Sequence, residues 1–142
     1  KYILDVNKND ETINKAINLG KIGLNLKESV GDRDEMPVVL HNYALNILYK
    51  ISNIFDEELC NIVLKETNEA LEILEYTKSI KRLGMVLIEN YIAKSLLQLD
   101  TKDVVDKLKK NISIFKESEL KQMMHIYNQF IKNNKIEKLD FL

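Results

Sequence analysis

Two segments 48 residues apart carry one pattern: Leu40-His41-Asn42-Tyr43 and Ile88-Glu89-Asn90-Tyr91 match in kind at their first, third and fourth positions. Each lies in a stretch with helical spacing and apolar residues on more than one side. In 35–52 these are Val39, Leu40, Tyr43, Ala44, Ile47, Leu48 and Ile51; in 83–99 they are Val86, Leu87, Tyr91, Ile92, Ala93, Leu96, Leu97 and Leu99. A helix of that kind must be covered on several sides, so it belongs between layers. Between them, 56–77 predicts a one-sided helix. Leu59, Ile62, Val63, Ala70, Ile73 and Leu74 form its inner stripe, and Glu66, Glu69, Glu72 and Glu75 its solvated outer row. A core helix, a return helix and a second core helix are what a stacked helical repeat requires.

The flanking sequence continues in kind. Asn9-Asp10 offers a cap for a helix over 11–27, with Ile13, Ala16, Ile17, Gly20, Leu24 and Lys27 along one stripe. Gly20 and Gly23 are read as sites of close helix approach. Val30-Gly31-Asp32-Arg33 breaks the pattern: Gly31 can take the left-handed conformation, Asp34 caps, and Pro37 falls in the first turn. Asp56, followed by Glu57-Glu58, caps the next helix. Asp100 or Thr101 caps another, with Val104, Val105, Leu108, Ile112 and Phe115 inward. Ser118 caps a last helix over 119–132, with Leu120, Met123, Met124, Tyr127 and Ile131 inward, and Asn133-Asn134 ends it. Leu139, Phe141 and Leu142 fold back onto the end of the stack or are cut short. Four glycines and one proline are few, and no segment alternates at a period of two. The expectation is an all-α chain of about six antiparallel helices forming one domain over 1–142. The opening Lys1-Tyr2-Ile3-Leu4 reads as the end of an apolar element, which suggests the C-terminal piece of a longer protein.

Composition narrows the function. A formal net charge of −1 gives no electrostatic case for nucleic acid or an anionic membrane as partner. No apolar run reaches the roughly 18 residues of a membrane span. The single Cys60 excludes an intrachain disulfide and agrees with a reducing, cytoplasmic compartment; a buried, inert thiol is expected there. His41 and His125 belong to no metal-ligand motif, and Leu19-Gly20-Lys21-Ile22-Gly23 lacks phosphate-loop spacing. The expectation is a non-enzyme with no cofactor and no metal.

The alternation of broad apolar helices with one-sided helices resembles the tetratricopeptide repeat in its longer variety of about 40 residues. Two stretches carry the likeness. Gly31-Asp32-Arg33 resembles the inter-repeat turn, and Asn68-Glu69-Ala70-Leu71-Glu72-Ile73-Leu74 resembles the second helix, with Ala70 at the small-residue position. Asn14-Lys15-Ala16-Ile17 and Asp106-Lys107-Leu108 echo that element. The early aromatic of the family is absent, and Ala44 and Ile92 stand where it has glycine. The resemblance implies hairpins stacked as a short right-handed solenoid, with the first helix of each pair lining a concave groove. It implies a protein- or peptide-binding module, the scaffold or sensor part of a larger regulator.

Asn42, Asn90 and Asn128 share one register, and Asn46 and Lys94 correspond one turn on. An amide supplies both donor and acceptor to a peptide backbone, so these five are the expected partner-binding residues, with His41 and His125 beside them. Asn is abundant in this chain, and coincidence of register is the competing explanation. Tyr43, Tyr91 and Tyr127 read as core. The alternative function is self-association into a homodimer through the ends of the stack, with the apolar tail 139–142 as the contact.

Overall fold

Local chemistry at the turns sets where each helix starts and stops. The computed structural model describes residues 10–30, 34–133 and 135–142, without the side chains of 10 and 27–30. Among the described residues lie α1 (Asp10–Val30), α2 (Met36–Ile51), α3 (Glu57–Thr77), α4 (Leu83–Leu96), α5 (Lys102–Asn111) and α6 (Glu117–Ile131), with no strand. The all-α class expected from the sequence is therefore observed. The expectations for Asn9, Lys27, Gly31, Asp32, Arg33 and Asn134 fall outside what is described.

Asp56 caps α3 as expected, accepting from the Leu59 N–H at 3.0 Å. Lys78 ends that helix in the left-handed region, and the Ser79 N–H closes onto the Leu74 carbonyl at 3.1 Å. Three boundaries differ from the sequence pattern. The α2 helix starts after Glu35, which makes no side-chain cap, rather than from an Asp34 cap. The α4 helix stops at Leu96, because Gln98 takes φ 59° and the Leu99 N–H turns back to the Lys94 carbonyl at 2.8 Å. Leu99 is consequently exposed instead of helical. At α6 the cap position is Lys116, and Ser118 lies inside the helix. The fifth stripe divides as well: α5 ends at Asn111, and a 3₁₀ turn, Ile112–Ile114, leads to Phe115.

The broad apolar surfaces of α2 and α4 are explained by their neighbours. The α2 helix packs on α1, α3, α4 and α6, and α4 packs on α2, α3, α5 and α6. Leu40, Ile47 and Leu48 of α2 and Met85, Leu87, Ile88 and Ile92 of α4 are fully buried between them. In contrast, α5 buries only Val104 and Leu108. The tail folds back. The Tyr91 hydroxyl donates to the Glu137 carbonyl at 2.6 Å, and the Leu139 N–H donates to the Tyr127 hydroxyl at 2.6 Å. Lys135 Nζ donates to the Ser52 carbonyl at 2.6 Å, and Leu139, Phe141 and Leu142 pack half-buried on the core.

Close approach occurs at Gly20, where an added Cβ would lie 3.2 Å from Tyr43 Cδ1, but not at Gly23, where nothing lies within 4 Å. A tighter crossing is at Gly84. A Cβ there would lie 2.6 Å from Met123 Sδ and 3.2 Å from the Glu119 carboxyl. Met123 is fully buried, and Glu119 Oε2 accepts from the Met85 N–H at 3.2 Å, so neither neighbour yields freely. Gly84→Ala is expected to cost about 1–3 kcal/mol. Gly23→Ala is expected to stabilise the chain by about 0.5–1 kcal/mol, as in any open helix interior. Urea unfolding of the two variants checks the contrast.

Candidate functional site

The two matched segments differ at their second position, where His41 answers Glu89. That difference brings them together. His41 Nδ1 lies 2.5 Å from Glu89 Oε2, joining the centres of α2 and α4. Glu89 is completely buried and His41 nearly so. A contact this short is a hydrogen bond between ring and carboxyl. Burial pushes the Glu89 carboxyl above its ordinary value; His41 opposes the shift through its charge and hydrogen bond, and the Glu119 carboxylate adds to it. Tyr49 extends the polar centre toward α6, its ring 5.9 Å from that of His125. Its hydroxyl is raised by burial and by the charge of Glu89. Among the described residues, Glu89 Oε1, the Tyr49 hydroxyl and His125 Nε2 are buried with no hydrogen-bond partner. Such atoms are rare inside native folds and mark polar centres that are costly to build.

The sequence placed His41 and His125 beside a binding ladder. The structure instead places His41 and the ring nitrogen Nε2 of His125 in the interior of the α2–α4–α6 layer. Glu89 and Tyr49 received no role from the sequence. The signal was present in the shared register of His41 and Glu89, two side chains of complementary chemistry on helices that must face one another.

The five Asn and Lys positions have unlike surroundings. Asn42 is half-buried, and its carbonyl accepts the Asn46 side-chain amide at 2.9 Å. Asn46 is buried and thus spends that donor on its own helix. Asn90 is fully buried and donates to Thr67 Oγ1 at 2.8 Å and to Asn68 Oδ1 at 3.0 Å, tying α4 to α3. Lys94 is half-buried and Asn128 exposed. Asn90 and Lys94 meet in one pocket of about 260 Å³ between α3, α4 and α5, together with Glu72, Glu75 and Lys107; Asn42, Asn46 and Asn128 do not line it. The Asn90 side-chain carbonyl is buried and has no hydrogen-bond partner among the described residues.

Cys60 is buried as expected, its thiol 3.6 Å from the Ala93 carbonyl and pushed up to about 11 by burial and then by Glu57. A thiol so raised carries little thiolate at neutral pH. Among the described residues no group of three or more His, Cys, Asp and Glu has metal-holding geometry, and no helix is long and apolar enough to cross a membrane. Comparison with family models, curated proteins and solved structures finds no match for this chain.

Proposed function

We propose that this chain is a non-catalytic, protein- or peptide-binding helical-repeat module, a short tetratricopeptide-like solenoid serving as the cytoplasmic scaffold or sensor part of a larger regulator. One observation carries it. The even helices α2, α4 and α6 pack on one another, while α1, α3 and α5 pack chiefly on their neighbours in sequence. The succession of α2 on α4 and α4 on α6 is compatible with stacked hairpins, and such stacks offer long binding surfaces. The partner segment meets Asn42, Lys94 and Asn128, whose side chains retain exposure. Asn46 and Asn90 act by holding the helices that present them.

Asn42→Ala/Lys94→Ala/Asn128→Ala is expected to weaken binding of a purified partner segment by about tenfold or more, with an unchanged melting temperature. Fluorescence anisotropy on a segment first identified by affinity capture checks this; equal affinity removes these three residues from the binding site.

Self-association is favoured by a separate observation. Along α1, Leu19 and Ile22 are 66% and 56% exposed, and Leu26 continues their row one turn further. A run of apolar side chains at helical spacing on a stack end suits a second copy. Should sedimentation equilibrium find a dimer that Leu19→Glu/Ile22→Glu dissociates, this role replaces the first.

A further inference from the structure

The turn from α3 to α4 and the turn from the 3₁₀ segment to α6 meet along a groove of about 530 Å³. Its apolar lining is Ile80, Ile114 and Phe115, and its cations are Lys81, Arg82 and Lys116. Ile80 is 56% exposed and Ile114 48%, so half of each side chain stays in water. The cations stand where local physics disfavours them. Arg82 and Lys116 occupy the N-cap positions of α4 and α6, neither makes a side-chain cap, and the positive helix end repels both. Arg82 also holds φ 64°, unfavourable for any residue but glycine. Lys81 makes an exposed contact to Glu35 at 3.7 Å, of little energetic weight. Glu119, the acid in the lining, is engaged with the Met85 N–H.

We infer that this groove docks an acidic amphipathic peptide segment of a partner protein, with apolar side chains on Ile80 and Ile114 and carboxylates on Lys81, Arg82 and Lys116. The inference rests on the proposed binding role and gives that partner a chemistry. Charge complementarity selects it: a positive rim on a chain of net charge −1 is a local arrangement that attracts acidic segments and repels basic ones. Single-stranded nucleic acid fits less well. Its bases need exposed aromatic faces to stack on, and Phe115 is buried. An anionic membrane calls for a denser cluster of about 4–8 basic residues.

The probe is a short fluorescent peptide with two leucines flanked by glutamates, beside a control in which lysines replace the glutamates. The expected result is binding of the acidic peptide alone, weakening as salt rises. Lys81→Glu/Lys116→Glu and Ile80→Ser/Ile114→Ser should each reduce affinity by about tenfold or more. All four residues are exposed, so the variants are expected to keep the parent circular dichroism and melting temperature. Equal binding of the acidic peptide to parent and variants overturns the inference, as does capture of single-stranded DNA or phosphatidylserine vesicles in its place. If a captured partner segment binds parent and groove variants alike, the groove is excluded while the binding role stands. If neither that segment nor the peptide binds, both fall.

Discussion

His41→Ala is expected to destabilise the fold by about 3–5 kcal/mol, because it leaves a completely buried carboxyl without its partner. That loss is comparable with the whole stability of a marginal domain, roughly 5–15 kcal/mol, so Glu89→Gln is the necessary companion. The amide keeps the shape and a hydrogen bond to His41 but carries no charge to desolvate. The two variants separate in their pH dependence. In the folded chain the Glu89 carboxyl holds its proton to a higher pH than its ordinary value of 4.5, with burial the largest cause. A raised pKa means that the folded state binds more protons. The stabilisation is complete below the ordinary value and is lost as pH rises through the folded one. His41 pulls that pKa down, so its removal raises it further and carries the loss to higher pH. Glu89→Gln abolishes the contribution. Urea unfolding across a pH series should show a steeper decline for His41→Ala than for the parent and a flatter one for Glu89→Gln. Three parallel curves would show that Glu89 does not titrate against His41.

Truncation after Lys132 is the second large effect. It removes the tail's hydrogen bonds from Lys135 to Ser52, from Tyr91 to Glu137 and from Leu139 to Tyr127, at about 1 kcal/mol each. It also uncovers apolar surface beneath Ile136, which is itself buried and contributes about 1.5–3 kcal/mol. The melting temperature should fall by about 10 °C or more. The direction of the association change matters more. Leu139, Phe141 and Leu142 pack on their own chain, so their removal should increase association by exposing that core. Calorimetry and sedimentation velocity decide the point. A truncated chain that becomes more monomeric at an unchanged melting temperature would make the tail the contact between copies.

The helices were legible because burial wrote their pattern. Breadth of apolar surface on 35–52 and 83–99 marked α2 and α4 as the helices with most neighbours. Stops set by backbone conformation left less trace. Lys78, Arg82 and Gln98 take positive φ with no glycine to announce it, and the pattern therefore ran past Leu96 to Leu99. A cap acting across helices was equally hidden, since Glu119 serves the start of α4 from the first turn of α6. At the candidate site, Asn90 and Lys94 lie one turn apart on α4 and line one pocket. Register cannot say which side of a helix meets solvent, and Asn90 meets Thr67 and Asn68 of α3 instead. The paired register of His41 and Glu89 held the clue to the buried centre, but complementary chemistry at equal positions gains meaning only once two helices are known to touch.

The most direct measurement is amide chemical-shift mapping of isotope-labelled chain titrated with a purified partner segment. The expected result is shifts gathered on α2, α4 and α6 and on the turns that lead into α4 and α6, with α1 unchanged. Shifts confined to the Leu19–Ile22 face of α1, broadening with the concentration of the chain itself, would contradict the binding role and make this a module that assembles with its own copies.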